Sequence, residues 1–359
     1  MGRRARSVCE AVGADVHGLA MHAVFITKHG GPEVLEVREA PTPDPGPGVV
    51  RVAVTLAGLN FAELSARQGL YPDAPKPPCI VGYEGSGVVE AVGEGVQALK
   101  EGDRVTYMSR FGGHASHVVV PESQALVMPD SMSFEDGAAM PVNYLTAHHM
   151  LFEIARVRPG DHVLIHMAAG GVGTAALQLC QTMEGITTYG TASAPKHDYV
   201  RSHGCDHPID YRSQDYKEEV LKLTDGRGVD LVLDALGGPD FRKGYELLAA
   251  AGTLIMFGIA NTNTGGKRKL LHVLGQLIRM PRFSPIKLMN DNRTVSGCNM
   301  GHLWDEQTLL RGQLDALLRF YEEGKIKPHV HAVHSFENAA EAFGDIEHGR
   351  NLGKVLLRP

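Results

Sequence analysis

The sequence predicts an α/β fold in which a doubly wound parallel sheet is inserted into a β-rich domain. Three observations carry this reading. Between about Tyr144 and Met300, short apolar strand-like runs alternate with helix-like ones, the rhythm of a parallel sheet with crossover helices. Upstream, Met21 to Asn143 is a series of short β-type segments punctuated by Gly and Pro, as in a compact β-rich unit. The chain then closes on Gly353-Lys354-Val355-Leu356-Leu357, an apolar run suited to a strand that returns to the first domain. The expected division is residues 1–20 as an extension, 21–143 plus 301–359 as the β-rich domain, and 144–300 as the inserted one.

Residues 1–20 carry Arg3, Arg4 and Arg6 among small residues and show no periodicity. A disordered extension is expected. Glu10, Asp15 and the shortage of Ser speak against a targeting peptide, and Met21 is a second candidate start. Strands are expected at Met21–Ile26, Val49–Ala57, Glu84–Val92, Arg104–Met108 and Ala115–Val120, with Pro41–Pro47 and Tyr71–Pro78 as connections and Gly93 and Gly95 in a turn. In the inserted domain the strands are Val163–Ile165, Ile186–Tyr189, Pro208–Tyr211, Leu231–Asp234 and Thr253–Phe257. The intervening helices include Thr174–Cys180, Lys196–His203, Tyr216–Thr224 and Phe241–Leu248. Leu309–Tyr321 is an amphipathic helix ended by Gly324.

A chain of 359 residues, 43% hydrophobic and 21% charged, is long enough for two domains. Its net charge of −6 and 6% aromatic content argue against a nucleic-acid partner, which calls for a basic face and aromatic platforms. Five cysteines, Cys9, Cys79, Cys180, Cys205 and Cys298, are scattered without C-x-x-C spacing. That usage suits a reducing compartment, so a cytoplasmic location is expected. No apolar run approaches the roughly 18 residues that span a bilayer.

The most informative motif is His166-Met167-Ala168-Ala169-Gly170-Gly171-Val172-Gly173. It follows a strand-like run and opens a helix-like one, the context of a dinucleotide site. Ala168, Gly170 and Gly173 stand at the G-x-G-x-x-G positions, with Ala for the first Gly. Gly171 and Val172 lie where the free N–H groups of the helix would face a pyrophosphate. An NAD site would carry Asp or Glu at the end of the next strand, but that strand is read as ending in Gly190 and no acid occupies Gly190 to Pro195. Thr191, Ser193 and Lys196 instead offer hydroxyls and a positive charge suited to a 2′-phosphate, favouring NADPH. Ser193 also fits the N-cap of the following helix, and both roles stay open.

These and other motifs resemble the zinc-independent quinone oxidoreductase branch of the medium-chain dehydrogenase/reductase superfamily. The residues are Ala57-Gly58-Leu59-Asn60-Phe61, Gly82-Tyr83-Glu84-Gly85-Ser86-Gly87-Val88-Val89, Gly102-Asp103-Arg104-Val105 and Asn351-Leu352-Gly353-Lys354-Val355. Gly69-Leu70-Tyr71, Val142 to Ala147 and His207-Pro208-Ile209-Asp210-Tyr211 further resemble the synaptic vesicle amine transport protein homologues within that branch. The resemblance implies a GroES-like catalytic domain, an inserted Rossmann domain, NADPH as cofactor, a homodimer, and a quinone or α,β-unsaturated carbonyl as small-molecule acceptor. It places Asn60 and Thr146 near the nicotinamide and acceptor, Leu236, Phe257 and Gly258 along the cofactor, and Tyr211 with Ser193 and Lys196 at the 2′-phosphate. Asn351 and Lys354 would face the cofactor. Asn60 could donate to the acceptor carbonyl or simply bond its own loop. Tyr71 and Tyr83 are the nearby candidates for a proton donor.

Zinc-dependent relatives use Cys and His where this chain has Asn60 and Tyr83, and Glu94 to Pro121 lacks any Cys. Neither a catalytic nor a structural zinc is expected. Adjacent His148 and His149 on a helix cannot converge on one ion, and His329 with His331 is read the same way. Without a metal Lewis acid, reduction of an electron-poor acceptor is favoured over alcohol oxidation.

A basic, partly apolar helix is expected at 267–280, from Lys267-Arg268-Lys269 to Met280. Two readings stay open. One is peripheral membrane contact; the favoured one is a lid or subunit contact burying Leu270, Leu274 and Leu277 against the cofactor domain. The function classes that remain are an NADPH-dependent reductase and a nucleotide-bound, weakly catalytic protein acting at a membrane or with a partner.

Overall fold

The computed structural model describes residues 20–263, 265 and 269–359. The expected extension thus lies outside the described residues except for Ala20, as do Lys267 and Arg268 of the basic segment. The chain opens with β1 (Ala20–Ile26), β2 (Leu35–Pro41), β3 (Val49–Leu59), α1 (Phe61–Arg67), β4 (Cys79–Ile80), β5 (Glu84–Val92), β6 (Arg104–Met108), β7 (His117–Pro121) and β8 (Ala125–Val127). Two short helices, α2 (Phe134–Ala139) and α3 (Pro141–His148), lead through the π-helical turn His149–Ala155 to the second sheet. That sheet is built by β9 (His162–Ile165), α4 (Gly171–Gln181), β10 (Thr187–Thr191), α5 (His197–Ser202), β11 (His207–Ile209), α6 (Tyr216–Leu223), β12 (Val229–Asp234), α7 (Asp240–Leu247) and β13 (Leu248–Met256). Then come α8 (Leu270–Ile278), α9 (Pro285–Asp291), β14 (Thr294–Gly297), α10 (Gln307–Glu322), β15 (Val330–Ser335), α11 (Ala339–Glu347) and β16 (Lys354–Arg358).

The parallel sheet has the order β11-β10-β9-β12-β13-β14. Its direction of winding reverses between β9 and β12, the switch point where such sheets bind ligands beyond their strand ends. The remaining strands form a three-stranded sheet, β2-β1-β4, and a seven-stranded one, β15-β16-β3-β5-β6-β8 with β7 on β3. The closing strand does return to the first unit: β16 pairs antiparallel with β3, Leu357 opposite Ala57 and Val355 opposite Leu59. One core packs α3, α4 and α10 against one face of the parallel sheet, a second fills the other face under α6 and α7, and a third lies inside the β-rich unit.

Several elements differ from expectation for local reasons. β10 does not end at Gly190 but runs on to Thr191, with Gly190 opposite Ile165 and Pro208. A Cβ at Gly190 would lie 2.7 Å from Cys205 Sγ, so glycine there serves close packing. The helix expected at Lys196–His203 begins as a 3-10 turn, Ala194–Lys196, and becomes α-helical only at His197. Ser193 precedes that turn without a side-chain cap bond. The helix in 267–280 spans Leu270–Ile278, and its apolar side chains are not covered: Leu270, Leu274 and Leu277 are 59%, 53% and 47% exposed. The burial expected for them is therefore corrected, because the helix is held by its polar side, His272 Nε2 bonding Asn261 O at 2.7 Å.

Leu357 is fully buried between β3 and α11 in the β-rich core. Truncation there removes apolar contact and leaves a cavity, so Leu357→Ala is expected to cost about 2–5 kcal/mol, read as a lower midpoint in urea unfolding.

Candidate functional site

The carboxyl ends of the parallel strands and the β-rich unit enclose a cavity of about 1250 Å³. Its lining brings together Asn60, Tyr71, Tyr83, Thr146, Gly170, Gly171, Val172, Gly173, Thr191, Ser193, Lys196, Tyr211, Leu236, Phe257, Gly258, Asn351 and Lys354. Ala168 is the exception among the expected site residues. It is fully buried beneath the turn, where its N–H donates to Thr191 O at 3.1 Å.

One end of the cavity is a glycine cradle. The turn after β9 tightens through Met167, at a left-handed φ of 53°, and Gly170 N donates back to Met167 O at 2.8 Å. A Cβ on Gly173 would stand 2.4 Å from Met167 O, and one on Gly171 2.2 Å from Asn143 Nδ2. Only bare backbone fits, and it leaves the first N–H groups of α4 facing the cavity, the arrangement that holds a pyrophosphate. The neighbouring loops are equally built: Asp234 Oδ1 accepts from Leu236 N and Gly237 N at 2.7 and 3.2 Å. Ala260 N donates to Ala235 O, so the segments bearing Leu236 and Phe257-Gly258 brace each other.

Beyond the cradle lies a cationic corner. Lys196 donates to Asn351 O at 2.6 Å, and burial and then the Arg212 charge hold its ammonium below the ordinary value. Arg212 was not singled out from the sequence, although it follows Tyr211, which was; both are exposed at the rim, 5.9 Å apart from guanidinium to ring centre. Ser193 is buried with its hydroxyl free of any cap bond. Thr191 is committed differently: its hydroxyl takes Met167 N at 3.2 Å and meets His166 Nδ1 at 3.1 Å, holding the turn.

The opposite end is ionic. Lys354, at the start of β16, donates to Asn60 Oδ1 at 2.6 Å and to Glu84 Oε1. Asn60 Nδ2 donates to the same Glu84 oxygen at 2.9 Å, and Val142 N bonds Glu84 Oε2 at 2.7 Å. The Asn60 amide is thereby oriented by two ionised neighbours. Glu63, one turn into α1, accepts from Asn60 N at 3.0 Å. Its carboxyl is fully buried, and desolvation pushes it up to about 8. Thr146 lines the cavity but gives its proton to Val142 O at 2.6 Å, one helical turn back. Tyr71 and Tyr83 meet edge to face, centres 6.3 Å apart, and burial raises both phenols above their ordinary value. Glu63 was not singled out in the sequence and Glu84 stood there only as part of the Gly82–Val89 motif, because Glu63 reads as an ordinary helix-start acid and Glu84 as a strand residue.

Among the described residues no three His, Cys, Asp or Glu side chains converge as a metal site. His148 meets Phe152 edge to face while His149 Nδ1 meets Gln313 at 3.1 Å. No helix among the described residues is long and apolar enough to cross a membrane.

Two family profiles match the chain, the alcohol dehydrogenase GroES-like domain over residues 46–130 and the zinc-binding dehydrogenase over residues 203–357. The synaptic vesicle membrane protein VAT-1 homolog of Rattus norvegicus is 44% identical over 341 residues, 94% of this chain and 84% of that protein. A quinone oxidoreductase of Pseudomonas aeruginosa is 34% identical over 334 residues, 92% of this chain and 97% of the other. Among solved structures, Escherichia coli quinone oxidoreductase complexed with NADPH matches with a TM-score of 0.83 at 28% identity, covering 94% of this chain and 100% of that one.

Removing the cation while leaving its carboxylate strands a buried charge. Lys354→Met is expected to cost about 3–5 kcal/mol, and adding Glu84→Gln to recover part of it, because the two residues form one unit. Urea unfolding of both single variants and the double variant closes that cycle; additive losses would refute the coupling.

Proposed function

The chain belongs to the medium-chain dehydrogenase/reductase superfamily, close to the VAT-1 homologues and quinone oxidoreductases, and from that premise we propose that it is a zinc-independent, NADPH-dependent reductase of quinones or α,β-unsaturated carbonyls. The observation that carries this reading is that a single cavity joins the glycine cradle to the Asn60–Lys354 floor. Bound there, NADPH supplies a hydride. The α4 N-terminus would hold its pyrophosphate, and Ser193, Lys196, Arg212 and Tyr211 its 2′-phosphate, for which a corner with two cations and a free buried hydroxyl is suited. Leu236, Phe257, Gly258 and Asn351 would flank the cofactor.

At the other end the chain's own groups act on the acceptor. The fixed Lys354 ammonium places positive charge beside Asn60 in a shielded site, where it stabilises negative charge developing on an acceptor oxygen. Asn60 and Thr146 would position the acceptor, and Tyr71 and Tyr83, whose protons burial retains, are the phenols lining this end of the cavity. An amide and a phenol replace the thiolate and imidazole a catalytic zinc would need, which supports the zinc-independent reading.

A second reading has its own observation. On α8 and α9, Leu270, Leu271, Leu274, Leu277, Ile278, Ile286 and Met289 are all exposed, and exposed Lys269, Arg279 and Arg282 stand around them. In a chain of net charge −6, this local combination of apolar surface and cations suits an anionic membrane surface. The open outer edge of β14 suits a homodimer contact.

Ser193→Ala/Lys196→Ala is expected to weaken NADPH binding about 10–100-fold, the worth of one or two charge-assisted hydrogen bonds, and to leave NADH binding nearly unchanged. Titration calorimetry checks this, and single-turnover oxidation of NADPH by quinones and enones checks the activity; equal losses for both cofactors would remove the 2′-phosphate assignment. For the second reading, vesicles containing phosphatidylserine are expected to sediment the protein at low salt and to release Leu271→Ser/Ile278→Ser. Sedimentation of that variant equal to the parent's would refute it.

A further inference from the structure

We propose that the acceptor is an uncharged molecule with an apolar tail, and that the tail lies in a subsite walled by Tyr71, Leu145, Met300, Trp304 and Leu310. Such a molecule would be the substrate of the reductase activity proposed above, on which its assignment rests. Size leaves space for it. At about 1250 Å³ the cavity exceeds the roughly 300–1,000 Å³ of a pocket for one small ligand, as it must if a dinucleotide and a second molecule are to share it.

Charge excludes one large group of acceptors. The Lys and Arg side chains lining the cavity among the described residues are Lys196, Arg212, Lys243 and Lys354. Lys196 and Arg212 form the cationic corner beside Tyr211. Lys243 belongs to the same side: it donates to Asp215 Oδ2 at 2.7 Å and lies 4.0 Å from the centre of the Tyr216 ring, and both residues follow closely on Arg212 in the chain. Lys354 alone reaches the acceptor end, and there Glu84 and Asn60 engage it. An acceptor bearing a carboxylate, or phosphates as in a coenzyme A thioester, would find no free cation to meet them.

What that end offers instead is apolar and aromatic surface drawn from both units. Tyr71 stands edge to face on Tyr83, the residue before Glu84, so this wall begins at the ionic floor. The turn Met300–His302 and Trp304 just beyond it supply the rest. A Cβ on Gly301 would stand 3.2 Å from Tyr71 Oη and 3.9 Å from Trp304 Nε1, so both rings lie against this turn. Met300 and Trp304 are half-buried and pack on the core that contains Leu145 and Leu310, which themselves reach the cavity. On the outer side His302 Nε2 bonds Asp73 Oδ2 at 2.8 Å and ties the turn to the loop that bears Tyr71. The subsite is thus built before any acceptor enters. An indole, a thioether and two leucines are surfaces that an apolar chain covers with a gain in free energy. The reacting carbonyl would meet Asn60 and Lys354 while the tail runs along Trp304.

Trp304 is the chain's single tryptophan, so its fluorescence reports on this wall directly, and a quinone bound beside an indole quenches it. The first titration uses the full chain saturated with NADP, where no turnover occurs. A dimethoxybenzoquinone carrying a butyl chain is expected to quench saturably and to bind about 100-fold more tightly than the same ring without the chain, since each buried methylene is worth about fourfold in affinity. Crotonyl-coenzyme A should not displace it. In single turnover with NADPH, the half-saturating concentrations of the two quinones should show the same preference. Trp304→Ala, and Met300→Gln as the variant that keeps side-chain length, should each narrow that preference by about 10-fold, roughly two methylenes' worth. A merely structural role would weaken both quinones and NADPH alike, and calorimetry with NADPH reads that difference. Equal affinity for the two quinones, or displacement by crotonyl-coenzyme A at comparable concentration, overturns the proposal. Tail-dependent quenching without NADPH oxidation by either quinone overturns the reductase reading and leaves the apolar subsite; oxidation without tail preference overturns the subsite alone.

Discussion

The buried ammonium of Lys354 is the constraint on which the site depends. Its partners come from neighbouring strands of one sheet, β16, β3 and β5: Lys354 opens β16, Asn60 follows β3, and Glu84 opens β5. The register of that sheet therefore sets where the charges meet, and a slip of one residue would turn Lys354 and Glu84 to the opposite face. Such a network adds little net stability, because desolvation offsets most of its attraction. What it contributes is a fixed arrangement: the Asn60 amide has one orientation that satisfies both the ammonium and the carboxylate.

The same strand ties this ionic end to the glycine cradle. Gly353 N, one peptide before the cation, donates to Ala169 O at 2.8 Å, and Gly353 bridges Gly170. Lys196 adds a second strap from α5's entry turn to Asn351. The segment Asn351–Lys354 thus touches the glycine turn, the cationic corner and the Asn60–Glu84 floor at once. A shift of β16 would move all three together, so the spacing between the glycine cradle and the ionic end is a property of the fold and not of individual side chains.

Much of this was legible in the sequence. Strand–helix alternation gave the parallel sheet, and Gly170, Gly171 and Gly173 gave its tight turn, because both depend on local order. The residues expected at the site do share one cavity, Ala168 apart. What local order could not supply were partners distant in sequence: Lys354 lies 294 residues from Asn60, and Glu84 lies 24 from it. The burial of Glu63 was illegible for the same reason, since it is made by strands that sequence spacing does not bring together. Short helices such as α1 and α2, of seven and six residues, were missed because each is too brief to display a full apolar stripe. The exposure of Leu270, Leu274 and Leu277 was also out of reach: a periodic pattern identifies a face without saying whether anything covers it.

That uncovered face bears on the proposed chemistry. The helix α8 is anchored at the rim of the cavity, through His272 to Asn261 O and through Gln276, which packs so closely on Gly238 that a Cβ there would overlap it. Asn261 and Leu236 line the cavity itself. The apolar surface therefore adjoins the segments that would admit an acceptor. Quinones and enones with long apolar substituents partition into lipid, so a protein resting on a membrane by this face would meet them where they are concentrated. The proposed reductase and membrane readings would then share one geometry, in which docking would bring the rim to the lipid and the charged floor beyond it would act on the acceptor out of water.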